Sequence, residues 1–265
     1  MTEKEYRVHP YISRSELWKM SESPEKFKWY KENPVKPTPA LIFGQFIHAL
    51  TLTPDTVWND FVVAPDVDRR TKAGKEEYAA FMDRNQDKTL VPLDLFADGM
   101  NMHAAITNNK LANRLLSGET EVPLFWTDET TGEGCKCRLD SILRVKEKLV
   151  VVDLKTTENA ETDSFTKSAV QYGYDFQAAM YSEGVKANYG VVPTFVFVAI
   201  EKKEPYAINI LQADELMLRR GYDLYREYLG MYHECKRTGN WYGYMGANNV
   251  INSLSLPAWL AKEFE

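Results

Sequence analysis

Asp153 and Lys155 lie two residues apart in Val150-Val151-Val152-Asp153-Leu154-Lys155-Thr156-Thr157. In an extended chain both side chains leave the same face. The three valines mark a buried strand, where a carboxylate beside an ammonium is costly unless each has a partner or a metal. On the preceding strand, Cys137-Arg138-Leu139-Asp140 supplies a second carboxylate. A regular hairpin register lets Asp140 converge with the pair. Two carboxylates and one lysine can hydrolyse phosphodiesters. The carboxylates hold a hard cation such as Mg2+. The cation acidifies a bound water, polarises the phosphoryl oxygen and steadies the leaving oxygen. The ammonium orients the water or offsets charge on the phosphate. Taken alone, the Asp-x-Lys spacing is a weak motif, and an ion pair at a strand end is the favoured account of it.

Other residues carry weaker signals. Gln177 and Tyr181 are four apart on a predicted helix and share a face, although a surface glutamine and a core tyrosine would look the same. His48, in Gly44-Gln45-Phe46-Ile47-His48, is a competent metal ligand, and the small Gly44 on its face permits close approach. A lone helical histidine is more often structural. Arg69, Arg70, Lys72 and Lys75 cluster in a polar stretch that reads either as a solvated loop or as a contact to a duplex. Cys135 and Cys137 are too close for the Cys-x-x-Cys metal spacing. Tyr222, Tyr225, Tyr228 and Tyr232 have a helical spacing that favours packing over base stacking.

The elements that must position these groups follow from the patterning. Ser13 to Glu16 has capping-box spacing ahead of Leu17, Trp18 and Met20, and Pro24 suits the first position of a second helix. A helix is predicted from about Ala40 to Leu52. Asp66 to Lys75 reads as a loop, and helices follow at about Glu76 to Asn85 and Pro92 to Leu116. After Gly118 the pattern changes to strands at Val122 to Trp126, Cys135 to Leu143 and Leu149 to Lys155. Their turns fall at Thr131-Gly132 and Lys146-Glu147-Lys148. Helices near Asp163 to Gln171 and Asp175 to Asn188 precede strands at Thr194 to Glu201 and Tyr206 to Leu211. A long helix runs from Ala213 to about Arg237. This order predicts an α/β fold, a mixed central sheet flanked by helices. We read it as one domain over 1–265, with a mainly helical portion at 1–117 and a sheet-containing core at 118–265.

Composition narrows the class. The chain has 265 residues, of which 44% are apolar and 26% charged, ordinary values for a globular protein with a real core. The longest apolar run is far too short to cross a bilayer, and the N-terminal residues do not resemble a secretory signal. Three cysteines are a poor basis for disulfides, so a reducing cytoplasm is expected, with no membrane partner. A net charge of -6 weighs against non-specific coating of nucleic acid, while leaving room for a groove lined with basic residues.

Taken together, these motifs make the chain resemble the RecE-type (exonuclease VIII-like) branch of the PD-(D/E)xK nucleases, the phage and prophage recombination exonucleases. The resemblance rests on Asp140, Asp153-Leu154-Lys155-Thr156-Thr157 and Gln177-Ala178-Ala179-Met180-Tyr181. It extends through Ile12-Ser13-Arg14-Ser15-Glu16-Leu17, Gly44 to His48, Arg69 to Lys75, Gly239-Asn240-Trp241 and Leu256-Pro257-Ala258-Trp259. It implies a restriction-endonuclease-like core that degrades linear double-stranded DNA from its ends, 5′ to 3′, in DNA recombination. It also implies Mg2+ or Mn2+ as cofactor, a single-strand annealing recombinase as partner and a ring-like homo-oligomer. Carried over by residue, His48, Asp140, Asp153 and the Leu154 carbonyl become metal ligands, with Glu121 a candidate for assisting a second cation. Lys155 becomes the catalytic lysine, with Gln177 and Tyr181 supporting the site. Some relatives hold an iron–sulfur cluster with four cysteines; three cannot, so none is expected. Two rival readings are a single-strand or structure-specific nuclease and a catalytically silent module that binds DNA ends.

Overall fold

The computed structural model describes residues 3 to 257 and 262. In chain order it begins with α1 (Glu3–Val8), β1 (Ile12–Ser13), α2 (Arg14–Leu17), α3 (Pro24–Glu32) and α4 (Pro39–Leu52). Next come α5 (Val57–Asp60), β2 (Phe61–Val63), α6 (Lys72–Arg84), β3 (Thr89–Val91), α7 (Leu93–Asn108) and α8 (Lys110–Leu116). The rest comprises β4 (Glu119–Thr127), β5 (Gly134–Val145), β6 (Lys148–Thr157), α9 (Thr162–Tyr172), α10 (Tyr174–Tyr189), β7 (Thr194–Glu201), β8 (Ile208–Gln212) and α11 (Glu215–Thr238). Trp259 lies outside the described residues.

The valine run makes β6 a central strand because both of its faces are apolar. Val151 and Val152 are wholly buried, on opposite faces. Burial of each such side chain stabilises the fold by about 1.5–3 kcal/mol. Val151 joins Phe195, Phe197, Phe176 and Tyr225 in a core beneath α10 and α11. Val150, Val152 and Leu154 join Phe43, Ile47, Met102 and Ile106 in a second core beneath α4 and α7. The sheet is mixed: β4, β5 and β6 form an antiparallel meander, β6 and β7 are parallel, and β8 returns antiparallel to β7. The crossover between β6 and β7 contains α9 and α10, as parallel pairing requires.

Several boundaries differ from the sequence reading, each for a local reason. The helix predicted from Pro92 to Leu116 is two helices, because the Asn109 side chain accepts the Leu111 and Ala112 N–H groups and starts α8. The polar stretch after Asp66 is a loop only as far as Thr71, whose hydroxyl accepts the Gly74 N–H and caps α6. Lys72 and Lys75 therefore sit on a helix. The two- and three-residue strands β1, β2 and β3, absent from the sequence reading, are too short to show a period. Among the described residues, no helix is long and apolar enough to cross a membrane.

Candidate active site

The sheet forks where the chemistry-bearing residues lie. Strands β5 and β6 pair from Val145↔Lys148 to Ser141↔Val152, and the ladder stops there. One edge of β5 is covered by β4 from Gly134 to Ile142. On the other edge β1 pairs with Cys135 and Lys136, below the point where β6 departs. Residues 137 to 140 therefore face a gap between β6 and β1. A continued register would set Asp140 opposite Asp153. Instead the Asp140 carboxylate reaches across the gap and accepts the Leu154 N–H at 2.8 Å.

Three helices complete the site. From α4, His48 Nδ1 lies 3.3 Å from Asp140 Oδ2. A Cβ on Gly44 would meet Thr156 Oγ1 at 3.8 Å, an ordinary contact, so closeness of α4 to β6 does not demand glycine there. From α10, Gln177 is buried and donates its amide to Asp153 Oδ1. The position of α10 is fixed in turn by α11, where Gly221 packs so tightly that a Cβ would fall 2.0 Å from the Asp175 carbonyl oxygen. At the start of α10, the Tyr174 ring centroid lies 4.8 Å from the Lys155 ammonium. From the segment after β1, Arg14 donates to the carbonyls of Tyr172 and Gly173.

The two aspartates are held in opposite electrostatic states. Burial alone would raise both. At Asp140 the His48 charge and hydrogen bond, the Lys155 charge and the Leu154 N–H prevail, and its pKa falls below the ordinary carboxylate value. At Asp153, 2% exposed, burial and the Asp140 charge outweigh Lys155, and the pKa is raised. Asp153 Oδ2 is in ionic contact with the Lys155 ammonium. His48 is pushed down by burial, yet the Asp140 charge and hydrogen bond raise it overall. Glu121 has a left-handed backbone, φ 53°, and breaks the β4–β5 ladder opposite Asp140. Burial and the Asp140 charge push its carboxyl up to about 7. The Arg138 guanidinium lies 2.5 Å from it.

Residues 13–253 match the family described as a PDDEXK-like domain of unknown function (DUF3799). The chain belongs to this family. Its fold is shared by the crystal structure of a putative exonuclease from Eubacterium rectale, with a TM-score of 0.66 at 16% identity, covering 99% of this chain and 97% of that one. A second solved structure, SSO0001, is 17% identical over 71% of this chain and 85% of its own, and its TM-score of 0.33 is too low to carry an argument. No curated protein matches the sequence. The mixed sheet with flanking helices is thus the PDDEXK-like fold.

In this PDDEXK-like chain the fork brings together His48, Asp140, Asp153, Leu154, Lys155 and Gln177, with Glu121 beside Asp140. Tyr181 packs into the α10 side of the core against Phe195. Among the described residues, no three His, Cys, Asp or Glu side chains are close enough to hold an ion as they stand. The reason is visible in the pairings: Asp153 is turned onto Lys155 and Gln177, and Asp140 onto His48 and Leu154. The donor set nevertheless fits a hard divalent cation, being carboxylate oxygens and one imidazole, with Asp153 Oδ2 held by the Lys155 ammonium. The basic cluster is elsewhere. Arg69 lies over the Tyr78 ring at 4.2 Å, Arg70 pairs with Asp68, and Lys72 is 3.9 Å from Glu76. Among the described residues, no hydrogen bond or ion pair links these groups to Asp140 or Asp153. Of the tyrosines on α11, Tyr225 is fully buried, Tyr228 and Tyr232 pack on the core, and Tyr222 is 42% exposed. The sequence reading assigned no role to Tyr174 or Arg14. Tyr174 could have been found, since it precedes Gln177 by three and shares its helix face. Nothing in the spacing announces Arg14.

Proposed function

We propose that this protein is a Mg2+-dependent exodeoxyribonuclease that degrades linear double-stranded DNA from its ends, 5′ to 3′. The reading is supported most by the fork itself. There Asp140 and the buried Asp153 have pKa values shifted in opposite directions, and Asp153 is in ionic contact with the Lys155 ammonium. Asp140, Asp153, His48 and the Leu154 carbonyl would hold the cation, with Glu121 available to assist a second. Bound there, the cation supplies an acidified water and an electrophile for the phosphate. The protein's own groups do the positioning. Gln177 fixes the Asp153 carboxylate through its amide. Lys155 directs its ammonium at the attacking water and the phosphoryl oxygens, offsetting charge as it develops. Tyr174 confines that ammonium from one side.

The family resemblance extends the proposal to a ring-like homo-oligomer and to a single-strand annealing recombinase, which would take up the strand that 5′ to 3′ digestion leaves. Incubation with end-labelled linear duplex tests the enzymatic core of the reading. Mg2+ or Mn2+ should support mononucleotide release from ends, and Ca2+ should bind without turnover. Full activity in chelator-treated protein without added metal would refute the mechanism, and cleavage of closed circles would refute the end requirement.

A further inference from the structure

The turn joining α9 to α10 carries two tyrosines on either side of Gly173. Tyr174 is within the site, packed between the Lys155 ammonium and the rings of Phe165 and Phe197, whose centroids are each 5.9 Å away. Tyr172 is its outward neighbour. Its ring centroid is 6.0 Å from that of Tyr174, the planes are inclined by 34°, and the residue is 52% exposed. An exposed tyrosine on a loose loop would mean little, but this turn is held from several directions. Gly173 has φ 65°, and a Cβ there would fall 2.5 Å from the Trp18 ring. Arg14 donates to the carbonyls of both Tyr172 and Gly173, the latter at 2.7 Å, while its guanidinium lies 5.5 Å from the Trp18 centroid and 6.0 Å from that of Phe176. The result is a rigid backbone that presents one apolar ring to solvent, a single ring contact away from the aromatic partner of Lys155.

We propose that Tyr172 is a stacking platform for a nucleobase of the DNA strand whose phosphate lies at Lys155. The inference rests on the nuclease reading and deepens it by assigning the base beside the scissile phosphate to a fixed aromatic face. Every base has a π-face, so stacking grips a strand without reading its sequence. That suits an enzyme that must digest whatever nucleotide comes next. Phosphate and base then go to different groups, the phosphate to the ammonium and the base to the tyrosine. The backbone anchors keep the ring in place before the strand arrives, so little ordering is lost on binding.

The test compares wild type, Tyr172→Ala and Tyr172→Phe on linear duplexes carrying one abasic nucleotide, moved stepwise through the positions nearest the cleaved end. On intact DNA, Tyr172→Ala should lose roughly 10-fold in kcat/KM, mainly through KM, and Tyr172→Phe should behave as wild type. At one abasic position wild type should fall to the level of Tyr172→Ala, and the variant should lose nothing further. A loss in Tyr172→Ala that is equal at every abasic position would make Tyr172 a folding residue and overturn the proposal, as would full activity on intact DNA. Failure of wild type to cleave any DNA would instead refute the nuclease reading on which the proposal stands.

Discussion

Buried carboxylates occur at two places along the meander, and their surroundings differ in kind. At the β4–β5 hairpin, Asp128 accepts from Arg226 Nη2 at 3.2 Å and from the Thr131 N–H at 2.8 Å. Glu133 in the same turn is 3.0 Å from His233 and 2.6 Å from Lys236. Burial would raise both carboxyls, but these donors hold each below its ordinary value. The hairpin is thereby clamped to α11 by satisfied charges. At the fork, by contrast, Asp153 is more deeply buried, and burial with the neighbouring Asp140 charge raises its pKa despite the Lys155 ammonium in contact with it. The same residue types are stabilising where cationic partners hold their pKa down, and poised for a cation where burial and a second carboxylate hold it up.

Substitution should separate the two places most sharply in activity. Asp140→Ala or Asp153→Ala should abolish cleavage, whereas Asp128→Asn should leave the chemical step intact in whatever fraction is folded. Lys155→Ala should keep metal and DNA binding but slow single-turnover cleavage by roughly 10²–10³-fold, the usual cost of one lost electrostatic stabiliser. Single-turnover rates decide this. Normal cleavage by Lys155→Ala, or by both aspartate variants, would mean that the active site is elsewhere.

Stability should respond in the opposite sense. Asp128→Asn leaves Arg226 with a weakened partner and should cost about 2–3 kcal/mol. Asp153→Asn, in metal-free protein, relieves the repulsion from Asp140 while keeping an acceptor for Gln177, and should melt no lower than wild type. Equal destabilisation of both variants in urea titration would erase the distinction drawn between the two ends.

The hairpin clamp also sets a pH signature. A carboxyl whose folded pKa is depressed adds stability that is present above its unfolded value, about 4, and lost as pH falls through the folded value. Asp128 and Glu133 both have that sign. The gap in melting temperature between wild type and Asp128→Asn should therefore narrow as pH falls from 7 to 3. A gap that stays constant across that range would show that the Asp128–Arg226 pair is not the source.

The smallest effect is expected at the basic segment. Arg70 is already paired with Asp68 and Arg69 is stacked on Tyr78, so Arg69→Ala with Arg70→Ala should lower the salt slope of DNA binding by about 1, less than two free cations would. An unchanged slope would leave these residues as a solvated loop.

How much of this was legible in the sequence depended on the length scale of the signal. Strand β7 lies where its pattern puts it, at Thr194–Glu201, and the Ser13–Glu16 capping box and the Pro24 helix start form as the local chemistry dictates. These are short-range patterns. The convergence of Asp140 with Asp153 and Lys155 was also readable, through the valine run and the hairpin. The fork was not, because it depends on β1, two residues long, taking the edge of β5 that β6 vacates. Gln177 illustrates the same limit. Its spacing favoured a surface glutamine, yet it is buried and its amide donates to Asp153 on a strand 24 residues earlier.

The central claim is that the fork is a cation site built on Asp140 and Asp153. Calorimetric titration of Mn2+ into metal-free wild type, Asp140→Ala, Asp153→Ala and Lys155→Ala tests it most directly. Wild type should bind, both aspartate variants should lose that binding, and Lys155→Ala should retain it, because its ammonium competes with the cation for Asp153 rather than holding it. Binding that persists undiminished in Asp140→Ala and Asp153→Ala would contradict the account.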